Sequence, residues 1–235
     1  MQLFYTNQIN IHNNQFTFSK EESKHIIKVL RKKEQDKIFI TNGLGYLFET
    51  CITIASDSRC TVSIVEHTQQ SEPEFHLHLA VAPTKMNDRY EWFLEKATEI
   101  GIQEITPIFC NQSERKVINL ERFEKILVSA MKQSNQLFLP KINEPISFQQ
   151  FVSKNFEGQK FIAHCAEDDK KSLKNSLVQN QDVLILIGPE GDFSAKEIQQ
   201  ALQQNYTPVS LGNTRLRTET AAVVACHTVQ LLNEK

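Results

Sequence analysis

Nothing in this sequence approaches the roughly 20 consecutive apolar residues that a membrane-spanning helix needs. The opening MQLFYTNQIN also lacks the basic start and apolar core of a secretory signal. These two absences lead to the expectation of a cytoplasmic chain without a membrane partner. Cysteine is sparse and scattered: Cys51, Cys60, Cys110, Cys165 and Cys226 include no C-x-x-C pair and have no histidine at zinc-site spacing. They read as reduced, mostly buried thiols, and no metal site is expected. An excess of charge of one sign is missing too. The formal net charge of −2 excludes a surface that is basic all over, but it leaves room for local basic patches, which are all that phosphate contact requires. With no internal repeat and no low-complexity tract, 235 residues make one large domain or two unequal ones.

What is present changes character near residue 72. Up to that point the chain reads as short alternating strands: LFY near the start, QFTF at 15–18, KIFI at 37–40, YLFETCITI at 46–54 and TVSIVEH at 61–67. Asn42-Gly43-Leu44-Gly45 is a hairpin-turn signal between two of them. Ser19 followed by Glu22 is a capping-box pair, and Ile26, Ile27 and Leu30 then recur at helical spacing. Residues 1–72 are therefore expected to form a small barrel-like β domain with one helix.

Ser71-Glu72-Pro73-Glu74 reads as a linker, and residues 73–235 as a second domain in which strands alternate with helices. The expected strands are 75–82, 105–109, 161–164, 183–187 and 208–211. Between them fall helices at 87–100, closed by Gly101, and near 120–136, 194–203 and 218–232. Largely apolar strands alternating with helices imply a parallel α/β sheet, whose ligands sit beyond the strands' carboxyl ends. The polar stretch at 167–181 reads as a solvated helix or loop.

Two loops at such strand ends stand out. The run VLILI breaks at Gly188-Pro189-Glu190-Gly191, after which Ser194 and Glu197 form a capping box, and Phe193 can staple against Ile198. On its own this is either a plain strand-to-helix turn or a rigid ligand loop, with the Glu190 carboxylate solvated or aimed at a ligand. The second loop, LGNTRLRTETAAVVA at 211–225, places Arg215 and Arg217 before a helix that Thr218 is expected to cap. Arginine forks beside a helix N-terminus suit an anionic partner. Ala221, Ala222 and Ala225 make a slim helix face, either core or a dimer seam.

Taken together, GPEGDFS and LG-x-x-x-LRTETA resemble the RsmE-type family of bacterial 16S ribosomal RNA uracil-N3 methyltransferases, of the SPOUT class. HIIKVLRKK, EKATEIGIQEITPIF at 95–109, SERKV at 113–117 and the KQS…LPKI region at 132–142 resemble the same family, in order along nearly the whole chain. The resemblance implies a PUA-like barrel before a SPOUT-type parallel sheet with a C-terminal trefoil knot. It also implies a homodimer that binds S-adenosylmethionine and transfers its methyl group to N3 of a uridine in 16S rRNA, either free or within the 30S subunit. A chain that merely bound RNA would have no need of two pinned glycine loops at strand ends.

Carried over residue by residue, the resemblance puts Leu186, Ile187, Gly188, Glu190 and Gly191 on one wall of the cofactor pocket. Leu211, Gly212 and Leu216 form another. Arg217 would stabilise negative charge on the uracil and Glu219 would accept a proton, although a glutamate in the first turn of a helix also suits the helix dipole. Lys28, Arg31, Lys32, Arg89, Arg115 and Arg215 are the expected RNA contacts. Tyr90 and Trp92 are candidates for stacking on a base or for the core, and His164 lies at the ligand end of its strand. Three places depart from the family pattern: Asp192, Asn213-Thr214, and the segment Asn135-Gln136-Leu137-Phe138, where an arginine is missing.

Overall fold

The computed structural model describes residues 2–166 and 170–234. Its contacts divide the chain into two units: Met1–Glu72 with Met131–Leu139, and Pro73–Ala130 with Pro140–Lys235.

In chain order the first unit contains β1 (Leu3–Tyr5), β2 (Gln15–Thr17), α1 (Lys20–Lys24), β3 (Lys37–Thr41), β4 (Tyr46–Ala55) and β5 (Cys60–Gln69). The sheet order is β1-β3-β4-β5-β2, with β1 parallel to β3 and the other pairs antiparallel. Alternation along β4 buries Phe48, Thr50 and Ile52. Register shifts at Glu49/Thr50 and Ile52/Ile54 bend the β4–β5 pair. The core it surrounds includes Phe4, Phe18, Ile26, Ile38, Ile40 and Val62. The Ser19 hydroxyl accepts the Glu22 N–H at 3.2 Å, the first half of the expected capping box. The helix then departs from the expected α pitch. His25–Val29 widens into a π turn, closed by Leu30 N–H on the His25 carbonyl at 3.0 Å, and Arg31 ends it with a left-handed φ of 54°.

The Asn42–Gly45 turn forms between β3 and β4 and also receives the returning segment 131–139. Gly45 N–H donates to Leu137 O and Leu139 N–H to Gly43 O, both at 2.9 Å. A Cβ at Gly45 would collide with the Phe138 ring, and φ there is +85°, so glycine is required twice over. The stretch that lacks the family's arginine thus serves as packing material for the first unit.

The second unit holds β6 (Leu77–Val81), α2 (Asn87–Ile100), β7 (Glu104–Phe109), α3 (Leu120–Ser134), β8 (Lys141–Ile142) and β9 (Ile146–Ser147). It continues with α4 (Phe148–Val152), β10 (Gln159–Ala163), β11 (Lys171–Ser172), α5 (Leu173–Ser176), β12 (Val183–Ile187), α6 (Ala195–Gln203), β13 (Thr207–Ser210) and α7 (Thr218–Asn233). The sheet runs β11-β13-β10-β12-β6-β7-β8, all parallel, with β9 added on β7. Every residue of β6 and β12 is buried, as expected of central strands covered on both faces. One face packs against Phe148, Phe151, Phe193, Ala201 and Tyr206. On the other, α7 lies along α2, where Ala97, Ala222, Ala225 and Cys226 are fully buried. The slim face at Ala222 and Ala225 is therefore core, and burial pushes the Cys226 thiol up to about 12. Gly101 closes α2 with φ +103°, the left-handed stop anticipated. Of the polar stretch, residues 167–169 lie outside the described residues, and the remainder contains β11 and α5. No helix among the described residues is long and apolar enough to cross a membrane.

Candidate functional site

The carboxyl ends of β10, β12 and β13 open onto one cleft in the second unit, and its walls follow from how each loop is held. After β12, the Pro189 carbonyl accepts Asp192 N–H at 2.9 Å and closes a tight turn, in which Asp192 takes a left-handed φ of 68°. Beyond it the Ser194–Glu197 capping box is complete in both directions. Phe193 is buried, with its ring over Gly188. A Cβ at Gly188 would stand 3.1 Å from two carbons of that ring, tighter than ordinary packing allows. The turn is thus fastened at its exit by a cap and at its entry by a close ring contact.

Ile187, Gly188, Pro189, Glu190 and Asp192 line the first lobe of the cleft, about 260 Å³, facing Arg215, Leu216, Arg217 and Thr218. A second lobe of about 490 Å³ is lined by Val209 through Leu216 and by His164 and Lys170. The two lobes share Ala163, Cys165, Arg215, Leu216 and Ala221. Gly212 lines the second with φ +144°, and among the described residues nothing stands within 4 Å of where a Cβ would be. Two of the expected wall residues face elsewhere. The Leu186 side chain is fully buried in the sheet's core, and a Cβ on Gly191 would run into the Gln112 side chain.

Several ties were not evident in the sequence. Thr218 does not cap α7. Arg217 is the N-cap residue, and the buried Thr218 hydroxyl donates instead to the Gly188 carbonyl at 3.0 Å, joining the two cleft loops. The Glu190 carboxylate accepts Lys85 N–H at 2.9 Å, and the Arg115 guanidinium donates to the Lys85 carbonyl at 2.8 Å and the Thr84 carbonyl at 3.2 Å. Glu190 and Arg115 therefore organise the loop after β6. The wall formed by Ala163 and Cys165 was missed, although the rule that puts ligands at strand carboxyl ends applies to β10 as much as to β12.

Arg215 and Arg217 are exposed at the cleft, and Arg215 Nη2 reaches the Glu190 carbonyl at 3.4 Å. Glu219 is buried and does not line the cleft. One of its oxygens stands 3.8 Å from Arg89 Nε, and the other has no hydrogen-bond partner among the described residues. Tyr90 is buried in the core, stacked on Phe123 at 5.1 Å, whereas Trp92 is partly exposed. In the first unit Lys28 and Arg31 are exposed, Lys32 is half-buried, and Lys28 pairs with Asp57 at 3.3 Å.

The cleft suits S-adenosylmethionine in kind. It offers apolar surface at Ile187, Leu211, Leu216 and Ala221 for a base and thioether chain, backbone polar groups at 210–214 for the base edge, and carboxylates and arginines for a zwitterion. Comparison with known proteins agrees. Residues 70–230 match the family described as RNA methyltransferase domain, and residues 18–65 match the RNA methyltransferase PUA domain. A ribosomal RNA small subunit methyltransferase E from Buchnera aphidicola (Acyrthosiphon pisum) is 31% identical, covering 93% of this chain and 89% of the relative. Its namesake from Rickettsia conorii is 30% identical, covering 97% and 94%. Among solved structures, a "probable rRNA-methyltransferase" from Porphyromonas gingivalis superposes with a TM-score of 0.90 at 39% identity over 99% of both chains. A Legionella pneumophila protein solved "in complex with the bound cofactor SAM" gives 0.88 at 28% identity, over 99% and 98%. The chain belongs to the ribosomal RNA small subunit methyltransferase E family, with a PUA-type N-terminal unit and an RNA methyltransferase domain.

Proposed function

We propose that the protein is an S-adenosylmethionine-dependent methyltransferase that methylates N3 of a uridine in 16S rRNA. The observation that carries this reading is the cleft itself: two glycine loops at the ends of β12 and β13, tied by Thr218 to Gly188 and edged by two exposed arginines, in a chain of this family.

When bound, the cofactor supplies an electrophilic methyl group on a sulfonium sulfur. A uracil N3 that accepted this methyl would have to release its proton, with the sulfur leaving as a neutral thioether. The chain's contribution is placement and electrostatics. Ile187, Leu211 and Leu216 exclude water from the reacting centre, and the pinned loops fix its geometry. Arg217, at the mouth of the cleft, stabilises the negative charge that develops on the uracil oxygens as N3 loses its proton. Glu219, buried off the cleft with one oxygen 3.8 Å from Arg89 Nε, pairs with that arginine, and this role suits it better than proton transfer.

RNA phosphates are read by Lys28, Arg31 and Lys32 on the first unit and by Arg89 and Arg215 on the second, with Arg115 ordering the loop at 84–85. Phosphate neutralisation makes that binding strongly salt-dependent. The trefoil knot, the homodimer and the cytoplasmic location come with the same reading. It is supported by the convergence of the 164–166, 188–192 and 211–217 loops on one site.

The deciding experiment is incubation of the purified protein with labelled S-adenosylmethionine and under-methylated small ribosomal subunits or free 16S rRNA, followed by mapping of the labelled nucleotide. Label at N3 of one uridine is expected. Label on ribose would reassign the acceptor, and absence of both transfer and cofactor binding would sink the enzyme reading.

A further inference from the structure

We infer that Asp192 is a positioning residue for the cofactor cleft, a strut whose carboxylate holds two of its walls together; the inference rests on the methyltransferase reading. Its left-handed backbone, φ 68°, belongs to a region that favours glycine, so the side chain is kept at a conformational cost. The side chain joins two loops that follow different strands. One oxygen accepts Phe193 N–H at 2.8 Å, within its own loop, and the other accepts Cys165 N–H at 2.7 Å, from the loop after β10.

Cys165 is held from the other side as well. The Lys170 ammonium donates to the His164 carbonyl at 2.9 Å and also to the Ala166 carbonyl, so the carbonyls before and after Cys165 are drawn towards Lys170 while the Cys165 N–H is drawn towards Asp192. Segment 164–166 belongs to neither strand nor helix and has no ladder to fix it. Because Asp192 and Cys165 both line the first lobe, this bridge fixes the separation of two of its walls.

Two variants test the strut. Asp192→Gly removes both bonds while relieving the left-handed strain, so folding is preserved. Asp192→Asn tolerates the same backbone and keeps one acceptor. In the unliganded protein, amide exchange at Cys165 followed by NMR should accelerate about tenfold in Asp192→Gly, the loss of one backbone-to-carboxylate hydrogen bond, and by an intermediate factor of about threefold in Asp192→Asn, whose single amide oxygen is shared between two N–H groups. Calorimetric affinity for S-adenosylmethionine should fall by the same ratios, with KM for the cofactor rising and kcat holding within about threefold. Unchanged Cys165 exchange in the glycine variant overturns the strut. So does an asparagine variant that matches the wild type in both Cys165 exchange and cofactor affinity, since a single amide oxygen cannot accept both N–H groups. If the wild-type protein itself fails to bind S-adenosylmethionine, the methyltransferase reading fails, and amide exchange still decides the role of Asp192.

Discussion

At the residue scale, the cleft shows how few positions carry chemistry and how many carry geometry. Glu190, solvated or aimed at a ligand on the sequence alone, lines the cleft while its carboxylate accepts the Lys85 N–H, and Arg115, an expected RNA contact, donates to backbone carbonyls at 84–85. Arg217 is different: its side chain is exposed at the cleft, and its backbone carbonyl accepts Ala221 N–H in the first turn of α7. Arg217→Ala should therefore lower kcat by about 100-fold, comparable to removing one donor to a developing anion, with cofactor affinity nearly unchanged. Glu219→Gln should leave kcat within about threefold, because a buried group off the cleft meets no reacting atom. Single-turnover assays on both variants distinguish the roles, and a collapse of kcat in Glu219→Gln would restore it as a proton acceptor.

At the element scale, α6 shows a local signal doing more than local work. Ser194 and Glu197 were legible as a capping box from spacing alone, and the structure contains both halves. What spacing did not reveal is that the buried Glu197 carboxylate also accepts Asn111 N–H at 2.7 Å, from the loop after β7. The cap thus fastens the cofactor-side turn to a neighbouring strand end. Ser194→Ala should cost about 1–2 kcal/mol, since it removes the cap and one of the donors to Glu197. In a chain of this size that is a drop of roughly 2–8 °C in Tm, readable by calorimetry. A Tm unchanged within error would show that the helix is held by packing alone. The elements that the sequence did not reveal, β8, β9, β11 and α4, are two to five residues long, too short for any periodicity to register.

At the scale of the whole molecule, the amino ends of the sheet carry a polar network remote from the cleft. His78 is buried, and its Nε2 meets the Thr106 hydroxyl at 2.7 Å. Burial lowers its pKa from 6.5 to about 4, overriding the attraction of nearby Glu104. Glu104 is itself held well below the usual carboxylate range, chiefly by its bond to His76 at 2.9 Å, with help from Asn143 and Lys141 and against the effect of burial. Both shifts act in the same direction. Above pH 6.5 His78 is neutral whether folded or unfolded. Below it the unfolded chain takes up a proton that the folded chain refuses, so stability is lost as pH falls from 6.5 towards 4. Glu104 adds a further loss below its unfolded value of 4.5. Urea unfolding should show His78 contributing a loss of about 2 kcal/mol by pH 5, from a shift worth 1.36 kcal/mol per unit. His78→Phe should flatten that part of the profile, and parallel profiles for the two proteins would refute the assignment.

The sequence by itself determined the parallel sheet, the covered central strands and the two glycine loops. Each follows from apolar periodicity, β-branched runs and turn residues that act within a few positions of one another, whereas the return of 131–139 to the first unit, expected in the second, was decided by tertiary contacts. The family resemblance carried by those loops was equally legible, because it lies in short contiguous motifs. Only the tertiary structure decided which groups close the site. The bond from Thr218 to Gly188 spans 30 positions, Asp192 to Cys165 spans 27, and Glu190 to Lys85 spans 105. Such pairings leave no local trace, since a hydroxyl or carboxylate finds its backbone partner only once sheet order has brought distant strand ends side by side. The same holds for Leu186 and Gly191. Their neighbours in the motif line the cleft, but the pleat of β12 turns Leu186 into the core, and the turn after it sets Gly191 against Gln112.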